Sequence, residues 1–152
     1  MYILIETLVM TLVPGLADSG DHLVHHGGAV SGLGNAGRRT GGVCADSMAD
    51  ASKIAELNPD IIVAEPSELI GTGVSVGPEY VEAATKCVKS VNPNILVLTA
   101  AGISNGNDVY NTIIAGADAT GSSSGVAKAA DRAAMVDEMI AAVRKAWDER
   151  HN

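Results

Sequence analysis

The 152 residues make one domain's worth of chain, 47% apolar and 3% aromatic with no Phe, rich in Ala, Val, Ile and Gly, which suits helices packed closely on small-residue strands. A formal charge of −8 with scattered Lys and Arg argues against nucleic acid or an anionic membrane as the main partner and leaves a small-molecule substrate open. Cys44 and Cys87 lie in apolar stretches and read as buried free thiols, in keeping with a reducing cytoplasm.

The opening run MYILIETLVMTLVPGLA lacks a basic leader, carries Glu6, and is too short and interrupted to span a bilayer. It reads as a core strand or helix, with a candidate strand at residues 2–5. Nine of the 17 glycines fall between residues 15 and 42, where no period of 2 or 3.6 is visible. Residues 1–42 are therefore expected to be an irregular N-terminal segment. From Val43 onward, short β-branched runs alternate with helical stretches, the signature of βα units around a parallel sheet, so 43–152 is expected to be one α/β body of four such units.

The first strand is expected at about Gly42–Ala45, followed by a helix near Met48–Leu57 capped by Ser47, with Asp50 three residues on. The second strand is Ile61–Glu65. After a Gly-rich loop, Pro78 opens a helix that runs to about Val91, and Ile95–Thr99 is the third strand. A helix over about Asn107–Ala115 ends at Gly116, a weak fourth strand covers Ala117–Thr120, and the last helix spans about Asp131–Glu149. Val136, Met139, Ile140, Val143 and Trp147 are expected to turn its apolar face inward.

Around a parallel sheet, functional groups collect just past the strand C-termini. The second strand ends in Glu65, then Pro66-Ser67-Glu68-Leu69-Ile70-Gly71-Thr72-Gly73, which places a carboxylate at the strand tip before a Pro-stiffened, amide-exposing loop. The third ends in Ala100-Ala101-Gly102-Ile103-Ser104 and the fourth in Gly121-Ser122-Ser123-Ser124-Gly125. Small loops of this kind near helix starts bind phosphate through N–H groups, and they are also ordinary strand-to-helix turns. A strand-end Glu likewise serves as a helix cap or salt-bridge partner elsewhere.

Read together, these loops resemble the archaeal type of triosephosphate isomerase, whose lid motif Glu-Pro-Pro-Glu-Leu-Ile-Gly-Thr-Gly appears as EPSELIGTG with a single change at Ser67. The resemblance continues through VCADS, LNPDIIVAE, VNPNILVL, AGISNGNDV and SGVAKA. It implies a partial (β/α)8 barrel made of the family's last four βα units. Glu65 would be the base moving a proton between the two carbons of dihydroxyacetone phosphate and glyceraldehyde 3-phosphate, a step of glycolysis and gluconeogenesis. By position Ile70, Gly71, Gly73, Gly102, Ser104, Ser123 and Ser124 would grip substrate and its phosphate, and Ser123 stands where Ala is usual. No cofactor or metal is expected.

Two parts of the family pattern are missing. An Asn-x-Lys motif after the first strand has no counterpart, since Glu6 and Leu8 stand in those places if MYILI is that strand, and no Lys or Arg precedes Arg38. The Asn-His-Ser-Glu motif has only a faint echo in LVHHGG, where His26 would be the electrophile. His22, His25 and His26 on a Gly-rich loop read better as solvated histidines than as a metal cluster. A four-stranded parallel sheet would also leave its edges unpaired and one face bare, so the chain is expected to form a homo-oligomer completing the barrel, or to be a truncated or damaged product.

Overall fold

The computed structural model describes residues 2–5, 8–12, 30–33, 39–69 and 72–152, with side chains from Gly42 onward. The strands are β1 (Tyr2–Ile5), β2 (Leu8–Leu12), β3 (Val30–Leu33), β4 (Arg39–Ala45), β5 (Ile61–Ala64), β6 (Leu96–Leu98) and β7 (Ala119–Ser122). The helices are α1 (Met48–Glu56), α2 (Pro78–Val91), α3 (Gly106–Ile114), α4 (Ser124–Ala127) and α5 (Arg132–His151).

One sheet runs in the order β1-β2-β7-β6-β5-β4-β3. Its centre, β4-β5-β6-β7, is parallel, with Cys44 paired to Val63, Val63 to Leu98 and Leu98 to Ala119. This is the parallel α/β arrangement expected from the alternation of strands and helices, and it fits the partial barrel that the resemblance implies. At both edges the structure differs from the expectation of unpaired strands. β3 lies antiparallel on β4 and β2 antiparallel on β7, with β1 antiparallel outside β2. Tyr2–Ile5 is thus a strand, but the neighbour of β7 is Leu8–Leu12, running the opposite way.

Local chemistry explains the helices. Ser47 accepts the Asp50 N–H, Asn105 that of Asp108 and Asp131 that of Ala134, each satisfying an amide the first turn leaves open. Pro78 at the first helical position of α2 has no N–H to leave unpaired.

On the helix side of the sheet, Ala51 and Ala55 of α1 pack with Ala84 and Val88 of α2 on Ile62, Ala64 and Val97. The small residues let the two helices lie close. On the other side Ile61, Val63, Leu98 and Ala119 form a row with Cys44, Leu96 and Ala100. The expected apolar face of α5 is rotated. Met139, Val143 and Ala146 are buried against Ile103, Val109 and Ile113, with Met135, Ala142 and Trp147 beside them, while Val136 and Ile140 are only half-buried.

β7 was expected two residues earlier and reads as too polar for a buried strand, yet all four of its residues are buried. The Thr120 hydroxyl donates to Thr99 O at 2.7 Å and the Ser122 hydroxyl to Ile103 O at 2.7 Å. With their hydrogen bonds made inside, these groups bury at little cost. Cys44 and Cys87 form no disulfide and are half-buried, less than the full burial expected.

Candidate functional site

Glu65 follows β5 and keeps the parity of Ile61 and Val63, so it continues the sheet face opposite α1 and α2 at the strand's C-terminal end. Its N–H donates to Ala45 O at 3.1 Å, prolonging the β4–β5 ladder by one residue and fixing the backbone under the carboxylate. Glu65 is half-buried and Pro66 buried.

The charge of Glu65 is felt by two neighbours. Burial first, then Glu65 and Asp46, hold the Cys44 thiol above its ordinary range. Burial, then Glu65, Glu68 and Asp46, raise the Tyr80 phenol. Both groups therefore stay protonated beside the carboxylates, Tyr80 from the first turn of α2 and Cys44 from the inner face of β4. Neither was singled out as a site residue in the sequence. The only hint was the position of Tyr80 just after Pro78, in a chain with 3 Tyr and 1 Trp.

The loop after Glu65 begins as a single 3-10 turn, Ser67–Leu69, closed by the Leu69 N–H to Pro66 O at 3.0 Å. Thr72 ties its far side back to that turn, its hydroxyl donating to Leu69 O at 2.8 Å while accepting the Val74 N–H at 3.1 Å. Gly73 adopts φ +76°. Ile70 and Gly71 lie outside the described residues, as does His26.

Gly102 brings the next loop against this one. It sits at φ +74°, and a Cβ there would stand 1.9 Å from Val74 O, so a side chain is excluded both by conformation and by space. The Ser104 hydroxyl donates to Gly102 O at 3.0 Å and reaches Gly73 O at 3.5 Å, bridging the two loops. Its backbone N–H is taken by Asp108 Oδ2 at 2.9 Å, so Ser104 contributes a hydroxyl, not an amide, to this face.

The third loop is packed just as closely. A Cβ on Gly125 would meet Ser122 Oγ at 2.5 Å and Ile103 O at 2.7 Å. Ser123 is exposed at the start of the one-turn helix α4, which the sequence did not suggest, and its side chain makes no capping bond. Gly73, Gly102, Ser104, Ser123 and Ser124 thus belong to three interlocked loops at one end of the sheet, with Glu65 at the tip of the neighbouring strand. Among the described residues, no group of three or more His, Cys, Asp or Glu side chains is arranged to hold a metal ion. A polar recess lined by Asn58, Asp60, Asn92 and Asn94 lies at the opposite end of the strands.

The family model for triosephosphate isomerase matches residues 35–143, well over half of the chain. The chain belongs to the triosephosphate isomerase family. It is similar to the triosephosphate isomerase of Methanothermus fervidus, 40% identical over 101 residues, covering 64% of this chain and 46% of that protein. The enzyme of Methanobrevibacter smithii is 46% identical over 90 residues, covering 57% and 40%. That of Sulfolobus acidocaldarius is 36% identical over 110 residues, covering 71% and 48%. The chain spans about half the length of the curated triosephosphate isomerases it matches. The matched half contains Glu65 and all three loops.

Proposed function

We propose that this chain acts on triose phosphates, interconverting dihydroxyacetone phosphate and glyceraldehyde 3-phosphate, with Glu65 as the base. The reading rests on one observation above the others: a half-buried carboxylate at the tip of β5 is followed directly by a loop that meets its neighbour at Gly102 and Val74. Glu65 would take a proton from the carbon beside the substrate carbonyl and return it to the adjacent carbon through an enediol(ate), the loop Pro66–Gly73 closing over Glu65 to exclude water. Amides of Ile70, Gly71, Gly73, Gly102, Ser123 and Ser124 would receive the phosphate oxygens, with the Ser104 hydroxyl holding the loops together.

No equivalent of the family's Lys follows the first strand, and His26 is the candidate electrophile. Proton transfer without a group polarising the carbonyl forfeits stabilisation of about 3–4 kcal/mol, the usual cost of one missing oxyanion donor. That loss favours a second reading, a half-barrel that holds a phosphosugar without turning it over. A homo-oligomer supplying the rest of the barrel belongs to the first reading. A cytoplasmic place in glycolysis or gluconeogenesis follows from the same substrates, and among the described residues no helix is long and apolar enough to cross a membrane.

A coupled assay of glyceraldehyde 3-phosphate isomerisation, beside Glu65→Gln and His26→Ala, separates the readings. Turnover lost in Glu65→Gln supports the isomerase; phosphate binding without turnover supports the second reading.

A further inference from the structure

Tyr80 packs against two separate parts of the core. On one side lies the cluster of α1, α2 and the sheet, with Met48. On the other lies the cluster of Val76, Val81, Ala101 and Ala117, against which Leu69 also packs. Leu69 closes the 3-10 turn of the loop that follows Glu65 and Val76 stands two residues before α2, and between them Thr72, Gly73 and Val74 are exposed. Both anchor points of that loop thus rest on the cluster that Tyr80 seals.

The polar end of the ring completes the picture. Its hydroxyl lies in the field of Glu65, Glu68 and Asp46, carboxylates carried by the tip of β5, the 3-10 turn and the end of β4. A cation in this place would pair with the base and hold it. A phenol that stays protonated offers an O–H dipole to the acidic rim and buries its ring beneath the loop.

We propose that Tyr80 is a positioning residue for the loop after Glu65, its ring holding that loop at Leu69 and Val76 and so fixing where it stands beside the base. Only the catalytic consequence rests on the isomerase reading; the hold on the loop is a property of the free chain.

Amide hydrogen exchange on the full chain tests it with Tyr80→Leu and Tyr80→Phe. In Tyr80→Leu the amides of Leu69, Thr72 and Val74 are expected to exchange about tenfold faster, while those of Leu96, Val97 and Thr99 keep their rates. Tyr80→Phe, which retains the ring, is expected to restore protection to within about twofold of the native chain. Unchanged loop exchange in Tyr80→Leu would overturn the proposal. So would acceleration spread evenly over loop and sheet, which is the mark of a purely structural core residue. A chain without turnover would sink the isomerase reading and leave this exchange pattern fully readable.

Discussion

Gly102 and Val74 meet backbone to backbone, the glycine at φ +74° with its missing side chain directed at the Val74 carbonyl oxygen. The loop after β6 therefore sets where the loop after Glu65 can lie, and no side chain fits between them.

Gly102→Ala must adopt a left-handed conformation and displace Val74 as well. The two penalties are each about 1–3 kcal/mol, so a loss of about 2–6 kcal/mol in urea unfolding is expected, with the loop after Glu65 shifted away from Ser104. A cost below about 1 kcal/mol would show that the loops do not touch in solution.

Cys44 reports on Glu65. Burial, then the charges of Glu65 and Asp46, all disfavour the thiolate, so alkylation of Cys44 should rise with pH at a midpoint above that of an ordinary thiol. Glu65→Gln removes one negative charge and should lower that midpoint, without restoring the ordinary value because burial remains the largest cause. The sign for stability follows: a thiol raised in the folded chain gives stability that is full below the unfolded value and lost as pH rises through the folded one. Iodoacetamide labelling read by peptide mass spectrometry measures the midpoint, and a midpoint blind to Glu65→Gln would mean the two side chains are apart.

At the other end of the sheet, Asp118 Oδ2 accepts the Val97 N–H at 2.9 Å and pairs with Lys89 at 2.8 Å. Asp118→Ala leaves a backbone donor in the sheet without its acceptor and should cost about 1–3 kcal/mol in chemical denaturation. Lys89→Met should cost less than about 1 kcal/mol, because that pair is partly exposed. Equal costs would show that the ion pair, not the amide, is what Asp118 serves.

Much of this was legible in the sequence because local rules agreed with the fold. Ser47, Asn105, Asp131 and Pro78 mark helix starts whatever surrounds them, and Ile61–Ala64 is apolar because both faces of a parallel strand are covered. β7 was displaced by two residues since its polar side chains are satisfied by Thr99 and Ile103, partners that both lie past the end of the neighbouring strand β6. β2 and β3 carry no clear period, and their place depends on long-range pairing with β7 and β4. In the site, Glu65 and the glycines could be read from the motif, whereas Cys44 and Tyr80 reach the carboxylate from β4 and α2, a proximity no spacing encodes.

Sedimentation velocity addresses how the barrel is completed. A discrete dimer or higher species at micromolar concentration is expected if copies of the chain complete one another; a monomer that still turns over would show that a half-barrel suffices.

The measurement that bears most directly on Glu65 is the coupled isomerisation assay on folded protein beside Glu65→Gln, matched in unfolding midpoint. The account predicts turnover in the native chain and a loss of at least about hundredfold in the variant, the usual worth of a positioned general base. Equal turnover in the two proteins, or none above the Glu65→Gln background, would contradict it.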